Sequence, residues 1–368
     1  MRTKEEFRKI VAEQFTNVLE EKDLDWVKEW HTNSVPLNAV SNHQYRGVNQ
    51  FYLSIIAMTK GWKDPRWMTF NQIAKIDKQA MIRKGEHAFD VEYWFVRDRT
   101  KKFGDKQAFI SFPDARKLIK EGKRQPEDFQ PVAKYFKVFN AEQVEGLPSM
   151  KTEQENKPEI NQAELVDRLS QEMLVPINFD GGNNAYYSPK EDAIHLPAIE
   201  SFKSEYAFNS TALHELAHST GHPDRLNRSI KNIFGSEDYA FEELIAEMTS
   251  CFMALETVPP ESLDEDNLSK YTQNHRAYIQ SWAQSIKEKP DILFKAIKEA
   301  EHAADYMDMK AGLMTHLDYL SRYRADQQLV LEGEVAPVLT DNNTLPQPSL
   351  GQSGLLAAKV TSRKLHIG

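Results

Sequence analysis

Apolar positions recur every three to four residues over 3–22, where Phe7, Ile10, Val11, Phe15 and Val18 fall on one face of an expected helix. A loop-like stretch rich in Asn, Ser and His follows from Thr32 to Gln44. A second helix is expected over 49–60, ended by Gly61 and Pro65 before Trp67. The period then shortens to two. Over 88–97 the residues Phe89, Val91, Tyr93 and Phe95 line one face of a predicted strand. The segments 108–112 and 135–139 are rich in aromatic and β-branched residues and read as further strands. Residues 1–147 are therefore expected to be an α+β domain with an antiparallel sheet.

Residues 146–160 are polar and interrupted by prolines, so an interdomain linker is placed at 148–160. Helical patterns dominate beyond it, at roughly 161–173, 206–220, 237–257, 270–287 and 291–319. A short strand pair, 185–187 and 193–196, flanks a turn at Ser188-Pro189-Lys190-Glu191. The second domain, 161–324, should be mainly helical, which makes the whole chain α+β. From 325 to 368 the chain is polar, with Pro337, Pro346, Pro348, Gly351 and Gly354, and reads as an extended or disordered tail.

At 368 residues the chain is long enough for two domains with buried cores. No apolar run approaches the roughly 20 residues that a membrane helix needs. The first residues, Met1 to Phe7, are charged and lack an apolar leader. A single cysteine, Cys251, excludes an intrachain disulfide framework and makes the cytoplasm the expected compartment. Charge is unevenly spread. Residues 1–150 hold 26 Lys+Arg against 21 Asp+Glu, a balance of +5; the remainder holds 20 against 34, or −14. Five of the six tryptophans also lie in the first 150 residues, so the two halves are expected to do different work.

The second half carries His214-Glu215-Leu216-Ala217-His218. On a helix, two histidines four apart lie about 40° apart around the axis and about 6 Å apart along it, so both imidazoles reach one ion. Glu215, beside the first histidine, is placed to handle the proton of a water. A zinc hydrolase site needs a third protein ligand and an open position. His222, Asp224 and Glu243 are the candidates. Gly221 reads as a helix stop that would point His222 elsewhere, and Asp224 needs a sharp turn to come back. Glu243 has the best support, because Glu247 follows one turn later and can orient a ligand histidine. Apolar neighbours Leu244, Ile245, Met248 and Phe252 suggest burial, and three buried glutamates without a cation would be costly. The expected chemistry is one Zn²⁺ on His214, His218 and Glu243, with Glu215 as general base and acid. Tyr186, Tyr187 and Tyr239 could face a developing oxyanion, although core packing explains each of them as well.

The first half mixes aromatic, basic and glycine residues at Tyr45-Arg46-Gly47-Val48-Asn49, at Trp67 to Gln72 and at Arg83-Lys84-Gly85-Glu86. Bases stack on aromatic faces while Arg and Lys follow phosphates, which suits single-stranded nucleic acid. Tyr45, Arg46, Asn49, Trp67, Arg83 and Lys84 are the candidate contacts.

These segments, with Val138 to Gln143, Ala185 to Pro189, Asp192 to Pro197, His214 to His222, Arg225 to Arg228 and Tyr239 to Glu247, resemble the ArdC antirestriction family of plasmids and conjugative elements. The resemblance covers about residues 1–320 in one order. It implies a single-stranded-DNA-binding domain followed by a zincin-like metallopeptidase domain, protection of incoming DNA from restriction, and Glu243 as third ligand. Residues 75–82 depart from the shorter glycine-containing turn usual in the family, and the tail has no counterpart. A structural metal site without proteolysis, and a peptidase that cuts a regulatory protein, are the competing readings; the peptide substrate is unknown. Glu215 favours catalysis, since a purely structural site needs no base beside its ligands.

Overall fold

Phe7, Val11, Phe15 and Val18 are all buried, and the stripe they form holds the first helix, α1 (Lys4–Lys22), against the core. Thr3 and Glu6 cap its start reciprocally: each backbone N–H donates to the other's side chain. The computed structural model describes residues 3–22, 35–102, 104–148, 150, 160–202, 204–228, 230, 237–254 and 282–327. Most of the expected tail from 325, most of the expected linker and residues 270–281 of the helix expected over 270–287 therefore lie outside the described residues.

After a short strand β1 (Leu37–Asn38) comes α2 (Gly47–Lys60), whose residues Phe51 to Met58 are buried on every side. Such a helix must run through the interior. Gly61, at φ 69°, ends it in the left-handed region. The strand β2 (Arg66–Thr69) leads into α3 (Phe70–Ile76), started by a Thr69/Gln72 capping box, and then β3 (Met81–Ile82). The long strand β4 (Phe89–Asp98), β5 (Phe109–Ile110), the helix α4 (Phe112–Lys120), the strand β6 (Phe129–Asn140) and β7 (Val144–Glu145) complete the first half. The main sheet runs β1-β2-β6-β4-β5, antiparallel except for β1 on β2. β3 and β7 pair separately. The expected strand over 108–112 is corrected to a two-residue strand followed by a helix, because Ser111 accepts from the Asp114 N–H and Pro113 sits in the first turn.

The second half is mainly helical, as the α+β reading requires. It contains α5 (Gln162–Glu172), α6 (Glu205–Ser219), α7 (Glu237–Ala254), a helical stretch over 282–288, α8 (Asp291–Ala311) and α9 (His316–Gln327). One small sheet, β8 (Ile177–Asn178), β9 (Tyr186–Ser188) and β10 (Ala193–His195), has β10 at its centre. β10 pairs parallel to β8 and antiparallel to β9. The helix expected over 291–319 is two helices, because Gly312 at φ 74° closes α8. Among the described residues, no helix is long and apolar enough to cross a membrane.

The described residues belong to one compact unit, and its main core is continuous from α1 to α8. Phe7 meets Phe294 edge-on, and α8 packs against α2, α5 and α7. Polar joints reinforce the contact. Arg46 reaches Glu301 at 3.1 Å and Asp305 at 2.5 Å, while Arg322 and Tyr323 also donate to Asp305. Gly47, at φ 53°, brings the backbone so close that a Cβ would lie 2.9 Å from a Glu301 carboxylate oxygen.

Candidate metal centre

Helix α6 is buried from Thr211 to Ala217, so the polar residues in this stretch must find partners inside the protein. Its C-terminal end is fastened by two arginines. Arg228 donates to the Ala217 carbonyl at 3.1 Å and Arg225 to the Ser219 carbonyl at 2.6 Å. These carbonyls lie in the last turn, where an α-helix leaves acceptors open and favours cations. Gly221 follows the helix because a Cβ there would meet Ile230 at 2.6 Å.

Fastened in this way, α6 projects His214 and His218 on one face, with ring centroids 4.8 Å apart. Helix α7 packs against α6 and brings Glu243 to the same point. The two Nε2 atoms are 3.1 Å apart. One Glu243 oxygen lies 3.5 Å from Nε2 of His214 and the other 3.6 Å from Nε2 of His218. Ligand bonds of about 2.0–2.2 Å in a tetrahedron separate ligand atoms by about 3.3–3.6 Å. The spacing and the donor types therefore fit a divalent transition ion. Asp224 is turned to solvent, 87% exposed, and His222 accepts from its backbone N–H. Neither of these joins the histidine pair.

Each histidine also has a carboxylate on its far nitrogen. Glu247 lies 3.1 Å from Nδ1 of His214, and Glu242 lies 3.4 Å from Nδ1 of His218. Such partners hold Nδ1 protonated and leave Nε2 free to ligate. Glu247 is expected from sequence; the Glu242 contact is not. Arg228 grips both oxygens of Glu242, at 2.6 and 3.1 Å, so part of the cation demanded by three adjacent glutamates is an arginine. The sequence signal that could have revealed this is an arginine, Arg228, 14 residues before Glu242.

The electrostatics follow from the packing. Burial opposes a charged His218, but the Glu243 carboxylate and hydrogen bonds to Glu242 and Glu243 outweigh it and lift the imidazole to about 9. For His214 the hydrogen bonds to Glu243 and Glu247 likewise outweigh burial and raise it well above its ordinary value. Burial acts to raise Glu243, yet the two imidazoles hold it well below the usual carboxylate range. Glu215 is 4% exposed, and burial lifts its pKa against the lowering influence of His214 and His218. The Tyr187 N–H donates to it. Tyr187 itself is committed elsewhere: its hydroxyl donates to Asp192 at 2.7 Å and accepts from Arg225. Tyr186 is half-exposed and stacked on His195, and Tyr239 packs against the core.

A family model described as the N-terminal domain of anti-restriction factor ArdC matches residues 5–139, and one described as a zincin-like metallopeptidase matches residues 164–299. The two models follow one another along the chain, an ArdC-type N-terminal domain and then a zincin-like metallopeptidase domain. The crystal structure of ArdC from the R388 plasmid in its metal-free form shares 28% identity at a TM-score of 0.60, covering 84% of this chain and 99% of that one. A Mn(II)-bound structure of that ArdC shares 27% identity at a TM-score of 0.59, covering 83% and 97%. Among curated relatives, two proteins named DNA primase TraC from Escherichia coli are 32% and 34% identical, each over 83% of this chain. The chain spans only 20% and 27% of their lengths. An uncharacterized protein of Sinorhizobium fredii is 29% identical over 81% of this chain and 90% of its own length.

Within the ArdC N-terminal region the expected DNA contacts are scattered. Trp67 has 0% exposure and packs edge-on between Trp62 and Phe89, so its ring offers no face to a base; this corrects the sequence expectation. Tyr45 is partly buried against the core. Arg46 is engaged by Glu301 and Asp305. Asn49 bridges both backbone groups of Glu92, at 2.6 and 2.8 Å. The Tyr45–Asn49 segment thus serves as a joint between helix and sheet. Arg83 and Lys84 are exposed, with Arg83 3.7 Å from Glu145.

Proposed function

We propose that this chain is an antirestriction protein that binds single-stranded DNA and hydrolyses peptide bonds at a divalent-metal centre. The observation that carries the hydrolytic part is the convergence of His214, His218 and Glu243 at ligand spacing beside the buried Glu215. The zincin-like family match and the Mn(II)-bound relative support a divalent ion, for which zinc is our choice from the two-imidazole, one-carboxylate donor set.

His214, His218 and Glu243 would hold a divalent ion, which when bound would supply Lewis acidity towards a water and a carbonyl. Glu247 and Glu242 keep the Nε2 lone pairs turned inward. Glu215, fixed by the Tyr187 N–H, receives the proton of the attacking water and delivers one to the leaving amine. Burial raises its pKa and so favours the protonated form it must hold between the two transfers.

Antirestriction and single-strand binding rest on the ArdC N-terminal match. The expected compartment is the cytoplasm, where incoming DNA would be met. The test uses wild type and Glu215→Ala. The variant should keep its metal and lose at least about a hundredfold in cleavage of unfolded casein; unchanged cleavage removes the catalytic assignment. Wild-type protein should raise DNA transfer into a restricting recipient and leave transfer into a non-restricting one unchanged. No rise rules out the antirestriction role.

A further inference from the structure

Strand β4 carries two kinds of surface. Its register with β6 sets Tyr93 opposite Lys134, Phe95 opposite Val132 and Val91 opposite Phe136, so these residues share one face. Asp90, Glu92 and Asp98 lie on the other face, where Lys137, Tyr135 and Arg124 meet them. The first face is thus free of acidic residues along both strands, and its charged groups are Arg97 and Lys134. Towards Phe89 and Val91 it enters the core. Towards Tyr93 it emerges: Tyr93 is 55% exposed and Phe136 41%, with Phe95 and Phe109 partly covered.

The rings form one surface. Tyr93 and Phe95 have centroids 4.7 Å apart, and Phe136 meets Tyr93 edge-on at 6.4 Å. The Lys134 ammonium lies 3.9 Å from the Phe109 centroid and 5.0 Å from that of Phe95. Cation–π contact of this kind holds the charge among the rings. Exposed aromatics gathered with cations and kept apart from carboxylates are costly to leave in water and attract a polyanion. A sheet that presents aromatic rings can stack two or three unpaired bases, while adjacent cations follow the phosphates.

We propose that this face, with Tyr93 and Phe136 as stacking rings and Lys134 as phosphate partner, is where single-stranded DNA binds. It rests on the single-strand reading above and replaces Trp67 as the stacking residue. Duplex DNA has no unpaired base to offer and should bind more weakly.

The test is fluorescence anisotropy of a labelled thymidine oligonucleotide with the full chain. The variants are Tyr93→Ala with Phe136→Ala, Lys134→Glu, Tyr93→Phe and, on the opposite face, Trp94→Ala. Loss of each stacking ring should weaken binding by about tenfold. Lys134→Glu should weaken it and flatten its salt dependence. Tyr93→Phe and Trp94→Ala should bind as wild type. Unchanged circular dichroism and metal content would exclude misfolding, because the substituted rings are exposed. If wild type binds and the double variant binds equally, or Trp94→Ala is weakened as much, the location is overturned while single-strand binding stands. If wild type binds no oligonucleotide, or binds duplex equally, the single-strand reading itself falls.

Discussion

At the scale of single residues, the centre is a balance between burial and pairing. His218 is enclosed, yet its carboxylate neighbours hold it at about 9. The sign of a pH effect follows. At pH 8 the imidazole is protonated, and a ligand must give up that proton. Zinc binding to metal-free protein at pH 8 should therefore release protons, and affinity should fall as pH is lowered. Calorimetry in buffers of different protonation enthalpy measures this; heats independent of buffer contradict it. The third ligand is legible in the sequence because Glu243 and Glu247 are spaced one turn apart amid Leu244, Ile245 and Met248. Glu242 as the partner of His218 is not, since that contact depends on Arg228 folding back from beyond Gly221. Trp67 and Tyr93 show the same difficulty from the other side. Residue type announces an aromatic, but only the course of the strand decides whether it faces core or solvent.

At the scale of elements, strong periodicity translates directly. The helices over 3–22, 49–60, 161–173 and 206–220 are found within two residues of their expected ends. Elements that depend on local capping are harder to see. Helix α4 hides behind the apolar run Phe109-Ile110-Ser111-Phe112, and α3 depends on the Thr69/Gln72 box. β6 runs for 12 residues because its partner β4 continues beside it, although the alternation visible in sequence is confined to its last part. The turn into α2 is set by Gly47. An alanine there would take a left-handed conformation and press its Cβ on Glu301. Gly47→Ala should cost about 1–2 kcal/mol, read as a lower urea midpoint with an unchanged slope. An unchanged midpoint would show that the joint is not strained by a side chain.

At the scale of the molecule, the sequence suggests two halves of opposite charge, and the family matches divide the chain in the same region. The core nevertheless runs through both, from Phe7 and Phe51 to Leu293 and Met307. Arg46, a candidate DNA contact by its aromatic and basic neighbourhood in sequence, is committed to Glu301 and Asp305 on the helix that packs against α7. The aromatic sheet face proposed for single strands and the proposed metal centre thus share one packed framework. The proposed hydrolysis depends on a divalent ion held by His214, His218 and Glu243. Elemental analysis of wild type, Glu215→Ala and Glu243→Ala tests it most directly. About one divalent ion per chain is expected in the first two, with a large loss in Glu243→Ala. Full metal content in Glu243→Ala, or none in wild type purified without chelator, would contradict it.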